Sequence, residues 1–220
     1  MKIQKLIAGT LLLTMLAGCG AESAPTSAET QVPAETQAEL PTVPANESTL
    51  WVPEGSELRM ARTEHNPELA AVIAETYGIP QEEWEGTRYC YDYVDLHDDG
   101  VDEIFAVVMG MYTSGSGGDS ALILQPAAGM AVSQQFTLVR APILVSDQLT
   151  NGAHDLILLR SGGGSEPAFV RLTCTDGIYT NPADAETLET LEGITGTAIL
   201  CSDAALDLNS GSTLTLAGRS

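Results

Sequence analysis

The sequence predicts an α+β domain in which an N-terminal helix packs on an antiparallel β-meander sheet built with two related strand-loop-strand units. Three observations predict it. Leu69, Val72, Ile73, Thr76 and Tyr77 recur at helical spacing behind Asn66-Pro67-Glu68. From Thr87 onward, short runs rich in Val, Ile, Leu, Tyr and Phe are separated by close turn signals, as in antiparallel hairpins. Those runs fall twice into the same order: acidic turn, apolar strand, glycine-rich loop, apolar strand.

The helix has its stop and start signals in place. Asn66 is an N-cap, Pro67 fits the first turn, Glu68 lies near the positive end, and Gly78 can close the C-terminus. Pro80 to Trp84 adds a short further turn. In the first strand, Tyr89, Tyr91 and Tyr93 alternate with Cys90, Asp92 and Val94, so one face carries a tyrosine stripe suited to a half-buried sheet face. Further strands are expected at 104–111, 121–125, 131–139, 143–145, 156–160, 168–173, 177–179, 197–200 and 213–216. In the repeat, Asp147 to Asp155 mirrors Asp95 to Glu103. Ser161-Gly162-Gly163-Gly164-Ser165-Glu166 likewise mirrors Ser114-Gly115-Ser116-Gly117-Gly118-Asp119. A strand of ~8 residues spans ~26 Å, so the glycine-rich loops should lie at the end of the sheet opposite the acidic turns. Ser114, Ser116, Asp119, Ser165 and Glu166 on those loops are candidate partner contacts, because exposed loops on a rigid scaffold commonly carry recognition.

Composition bounds the function. The formal net charge is −21, from 30 acidic and 9 basic residues, and the only lysines are Lys2 and Lys5. Such a surface repels nucleic-acid phosphate and attracts cations or basic partners, so no nucleic-acid role is expected. Hydrophobic residues make up 44% of the chain, enough for a proper core.

The N-terminal region reads as an address. Lys2 and Lys5 form a charged segment, Leu6 to Leu16 an apolar one too short to span a bilayer as a stable helix, and Leu16-Ala17-Gly18-Cys19 follows. This resembles the lipobox of bacterial lipoproteins. The resemblance implies a signal peptide over residues 1–18, cleavage before Cys19, and acylation of that cysteine, palmitate included. It places the protein outside the cytoplasm, anchored by lipid in the cell membrane or the outer membrane. Several acyl chains on one residue give a stable anchor. Residues 19–50 are the lipidated N-terminus and an Ala/Pro/Thr/Glu-rich stretch with too few large apolar residues to fold, so a disordered tether is expected. Residues 51–220 form the globular domain.

The acidic turn between the first two long strands is the clearest candidate site. Counting Asp95 as position one, carboxylates fall at positions one, five and nine (Asp95, Asp99, Glu103), with His97 at three and Gly100 where the chain must bend. Carboxylates that converge repel unless a cation sits among them, and Ca²⁺ takes six to eight oxygens in flexible geometry. Position twelve is Ala106 rather than the bidentate Glu of an EF-hand, and the flanks favour strands. The turn resembles the calcium loops of FG-GAP and VCBS-type repeats. That resemblance implies Ca²⁺ held by Asp95, Asp99, Glu103 and the Val101 backbone, with His97 in the place of the usual Asn or Asp. In the mirrored turn, Leu149 stands at position three and two carboxylates remain, so no ion is expected there.

Catalytic signals are sparse. His65, His97 and His154 are the available imidazoles, no Gly-x-Ser-x-Gly elbow or nucleotide fingerprint occurs, and no Cys-x-x-Cys supports a zinc or redox motif. With Cys19 acylated, Cys90, Cys174 and Cys201 remain, and a Cys174–Cys201 bridge is open. Tyr112-Thr113-Ser114-Gly115-Ser116-Gly117 resembles the Ser-Gly-Ser-Gly loop of periplasmic lysozyme inhibitors, although Asp119 stands where those carry a basic residue. The expectation is therefore a non-enzymatic surface module, binding or structural, stabilised by calcium and facing an unknown protein or cell-wall partner. The alternatives are inhibition of a cell-wall hydrolase and hydrolase activity.

Overall fold

A computed structural model of the chain describes residues 51–201 and 214–219. The leader, Cys19 and the tether lie outside the described residues. The strands are β1 (Glu57–Leu58), β2 (Arg88–Val94), β3 (Glu103–Met109), β4 (Asp119–Gln125), β5 (Ala131–Val139), β6 (Ile143–Thr150), β7 (Ala153–Gly162), β8 (Ser165–Leu172), β9 (Cys174–Thr175), β10 (Ile178–Tyr179), β11 (Glu186–Thr187), β12 (Gly196–Ile199), β13 (Leu214–Thr215) and β14 (Gly218–Arg219). The one α-helix among the described residues, α1, is Pro67–Tyr77.

The expected α+β class, a helix on one meander, is overturned. The described chain is mostly β and forms two six-stranded sheets and a small hairpin. One sheet runs β14-β13-β2-β3-β4-β5 and the other β1-β12-β6-β7-β8-β11, with β9 and β10 paired separately. The reason is visible in burial. Every residue of β3 is buried, which one sheet under one helix cannot achieve. Phe105, Val107 and Met109 enter a core shared with Ile143, Leu156, Leu158 and Val170 of the other sheet. Ile104, Ala106 and Val108 meet Leu69 and Ile73 of α1. Ile157 and Phe169, on the far side of the second sheet, are covered by Leu188 and by Trp51, whose ring lies 4.9 Å from that of Phe169. The two units that the sequence pairs thus lie in two sheets face to face, each unit an antiparallel run, while β1 joins the second sheet parallel to β12.

The local signals act as read. The Asn66 side chain accepts from Leu69 N at 3.0 Å, and Gly78 closes α1 in the left-handed conformation, where a Cβ would be strained. The tyrosine stripe faces α1. Tyr89 and Tyr91 are buried in that contact, and their hydroxyls tie down the segment that enters the helix. Tyr91 donates to Glu64 O at 3.0 Å, and Asn66 N donates to Tyr89 Oη at 3.1 Å.

One joint between the sheets has no counterpart in the sequence reading. Segment 57–62 pairs with β12 on one sheet, then donates from Arg62 N to Tyr91 O on the other. Asp92, buried on the inner side of β2, meets Arg59 Nη2 at 2.9 Å and Arg62 Nε at 2.8 Å. Arg62 also stacks on the Tyr93 ring, 5.4 Å from its centroid. A carboxylate buried between sheets is tolerated because these two charges, with hydrogen bonds from Arg62 Nε and Tyr93 N to Oδ1, stand in for its water; Oδ2 has the Arg59 charge beside it but no hydrogen bond.

Candidate functional site

The strand directions divide the turns between two ends. At one lie the acidic turn joining β2 to β3, the β6–β7 turn and the β9–β10 hairpin; at the other lie the glycine-rich loops.

In the acidic turn the chain wraps around Asp95. Its Oδ1 accepts from His97 N at 3.1 Å and Asp99 N at 3.2 Å, and its Oδ2 from Gly100 N at 2.8 Å. These amide bonds, that from Gly100 foremost, hold the Asp95 carboxyl below the usual carboxylate range. Asp99 Oδ1 accepts from Val101 N at 2.8 Å. Asp98 and Gly100 take positive φ (55° and 79°), so the bend expected at Gly100 is present. Glu103 is buried; its Oε2 accepts from Leu96 N at 3.0 Å and its Oε1 faces His97 Nδ1 at 3.2 Å. The site residues read from the sequence thus share one loop, with His97 turned onto Glu103.

Among the described residues no three His, Cys, Asp or Glu side chains are gathered as a metal group, so what bears on a cation here is the acceptor capacity of the turn's oxygens. Asp95 Oδ1 already accepts from two amides, whereas Asp95 Oδ2, Asp99 Oδ1 and Glu103 Oε2 each accept from one, so acceptor capacity remains on these three. Asp95, Asp99, Glu103 and the Val101 carbonyl are an oxygen set of the chemistry that Ca²⁺ takes, with glycine at position six for the sharp turn. His97 is the one nitrogen donor in it, and its contact with Glu103 already gives that carboxylate a partner.

The mirrored turn is built differently. Asp147 lies within β6, where its Oδ2 accepts from Thr195 Oγ1 at 2.6 Å. The chain reverses at Asn151 and Gly152, both at positive φ (55° and 83°), between Thr150 and Ala153, which pair. That is a two-residue hairpin of the Asn-Gly kind, not a second acidic loop. Asp155 sits buried in β7, its nearest cation Arg171 Nε at 3.9 Å, and neither oxygen accepts a hydrogen bond.

What the second turn contributes is His154. Its backbone N–H donates to Leu96 O at 2.9 Å, its Nδ1 lies 2.6 Å from Ser146 O, and its Nε2 lies 3.0 Å from Asp98 Oδ1. A carbonyl only accepts, and an ionised carboxylate only accepts, so it is the protonated ring that satisfies both contacts at once. Burial opposes the charge, but the hydrogen bonds to Asp98 and Ser146 and the attraction of Asp98 and Asp95 outweigh it, raising the His154 pKa. The sequence sets His154 next to Asp155 but does not show that it crosses to the acidic turn of the other sheet; spacing carries no signal for that contact.

Beside this crossing is a cleft of about 320 Å³, lined by His97, Asn151, Ala153, Cys174, Asp176 and Gly177 among others. Asn151 Nδ2 donates to Cys174 O at 2.8 Å. Gln134 of β5 holds Tyr179 through both backbone groups at 2.7 Å, fixing the hairpin across the sheets. A larger cleft of about 570 Å³ lies away from both turns, between His65, Pro67, Trp84 and Leu216.

At the opposite end the two glycine-rich loops touch. A Cβ on Gly162 would lie 2.0 Å from Ser116 O, and one on Gly117 would lie 2.5 Å from the Leu138 side chain. Ser114 donates to Asp119 and accepts from Gly110 N; burial raises the Asp119 pKa against that bond. Ser116 O accepts from Arg140 at 3.3 Å, and Glu166 is exposed. The Ser165 backbone closes the hairpin opposite Gly162.

Cys90, Cys174 and Cys201 are buried free thiols, which leaves no Cys174–Cys201 bridge. Burial raises all three pKa values, that of Cys90 to about 12, so none is poised as a thiolate. No protein-family model, curated protein or solved structure matches this chain.

Proposed function

We propose that the chain is a lipid-anchored extracytoplasmic binding module, held off a membrane by Cys19 and a tether and stabilised by Ca²⁺ in the acidic turn. The observation that carries the reading is the register of Lys2, Lys5, the apolar Leu6–Leu16 run and Leu16-Ala17-Gly18-Cys19. A binding role, rather than a catalytic one, is supported by how the histidines are used. His154 spends both ring nitrogens on Asp98 and Ser146, and His97 spends Nδ1 on Glu103. The buried thiols offer no activated nucleophile. The Ca²⁺ would be held by Asp95, Asp99, Glu103 and the Val101 carbonyl.

Cys19→Ala tests the anchor. The wild-type protein is expected in the membrane fraction with an acylated Cys19 at its mature N-terminus by mass spectrometry, and the variant is expected to lose both. An unmodified mature N-terminus, or one starting elsewhere, would sink the reading.

A further inference from the structure

Exposed large hydrophobic side chains are few among the described residues, and three of them come from three separate turns at one end. Val101 of the acidic turn is 47% exposed, Leu149 at the end of β6 is 43% exposed, and Ile178 of the β9–β10 hairpin is 55% exposed. The turns that carry them are knitted together. His154, the strand partner of Leu149, reaches Asp98; Asn151 reaches Cys174; and Gly177, beside Ile178, lines the cleft with His97. Exposed around them are Asp98, Asp99, Asp102, Asp147 and Asp176. His154, paired with Asp98, is the basic side chain at this end, and the following arginines fall elsewhere. Arg88, Arg140 and Arg160 belong to the glycine-loop end, Arg59 and Arg62 are committed to Asp92, and Arg171 is turned to Asp155 and Glu186.

We propose that this end is a docking face for a basic protein segment, with apolar side chains on Val101, Leu149 and Ile178 and an arginine or lysine entering the cleft at Asp176. The inference rests on the reading of the chain as a binding module and names the chemistry of its partner. Apolar residues exposed inside a charged rim mark interaction sites, and an anchor side chain in a pocket at the centre of such a face carries most of the affinity. The sign of the rim selects the occupant. The chain's own tether cannot fill the role, because residues 20–50 contain no lysine or arginine. An anionic lipid surface is repelled for the same reason, and so is this end of a second copy. Of the remaining exposed apolar side chains, Leu58 and Met60 flank Arg59, and Met111 and Tyr112 lie at the glycine-loop end, where they serve as an internal control.

The test uses the full-length protein in detergent micelles with two probes, an arginine–leucine peptide amphipathic as a helix and an oligolysine of equal charge. The arginine–leucine peptide is expected to bind one to one, about tenfold tighter than oligolysine by fluorescence anisotropy. Val101→Ser with Ile178→Ser should weaken it about tenfold, that is by about 1.4 kcal/mol. Asp176→Asn should weaken it most at low salt, while Met111→Ser with Tyr112→Ser should leave it unchanged; all variants should keep the wild-type melting temperature. Equal binding of both peptides, or equal loss from variants at either end, would show bulk attraction to an acidic protein and overturn the proposal. So would concentration-dependent self-association abolished by Ile178→Ser, which would make a second copy the occupant. Binding in micelles does not depend on Cys19, so a protein that binds the peptide but carries no lipid overturns the anchor alone.

Discussion

Two turns that look like copies in the sequence do opposite things in the structure. Asp95 to Glu103 is an open loop whose carboxylates gather the chain's own amides. Asp147 to Asp155 is two strands and a tight Asn-Gly reversal whose carboxylates point to unrelated partners. The clearest contrast is between the residues that the repeat equates, Glu103 and Asp155. Both are buried acids at the start of a central strand. Glu103 closes the loop through Leu96 N and His97, whereas Asp155 has an arginine at 3.9 Å and no hydrogen bond. A buried carboxylate contributes through the donors it satisfies, so equal burial does not mean equal worth.

The largest expected effect tests that contrast. Glu103→Ala should destabilise by about 3 kcal/mol, because it orphans the Leu96 amide and leaves a gap beside His97. Asp155→Leu should change stability by no more than about 1 kcal/mol in either direction, since removing an acid that accepts no hydrogen bond relieves its desolvation. Urea denaturation of both variants decides it; similar losses would mean that Asp155 is as well served as Glu103.

Next comes the ion. Ca²⁺ at a hundredfold excess over its dissociation constant should raise stability by ~2.7 kcal/mol if it binds the native turn alone. Asp99→Ala should abolish the rise in melting temperature, and His97→Asp should enlarge it by adding an oxygen donor. Asn151→Ala, in the other turn, should leave the response intact. A response shared equally by Mg²⁺ and kept in Asp99→Ala would reduce the acidic turn to a turn.

The smallest effect concerns the link between the two turns. The His154 pKa is raised on folding, so the native state binds the proton more tightly than the unfolded chain. That stabilisation is complete below the unfolded value of about 6.5 and is lost as pH rises through the higher folded value. Melting temperature should therefore fall across that window in the wild type and fall less in His154→Gln. NMR should find both ring nitrogens protonated at pH 6. A His154 neutral at that pH would mean that one of its two contacts is not made.

Local signals in this chain were legible because they depend on near neighbours. The Asn66 cap, the Gly78 stop, the alternation of Tyr89, Tyr91 and Tyr93, the bend at Gly100 and the placing of glycine loops opposite the acidic turns all follow from residues within one element or one hairpin. The short β1, β9, β11 and β14 were missed because two-residue strands carry no periodicity, and Asp147 was misplaced because an acid in β6 looks the same as an acid in a loop. The division into two sheets, the covering of both faces of β3, the Asp92 joint with Arg59 and Arg62, and the reach of His154 to Asp98 were decided only by tertiary structure. An apolar run such as Ile104 to Met109 states that a strand is buried, but not by what. The partners of β3 lie on α1 and on a sheet that begins beyond residue 140, and which of them meet is set by packing across the whole domain, where no local pattern in the sequence reaches.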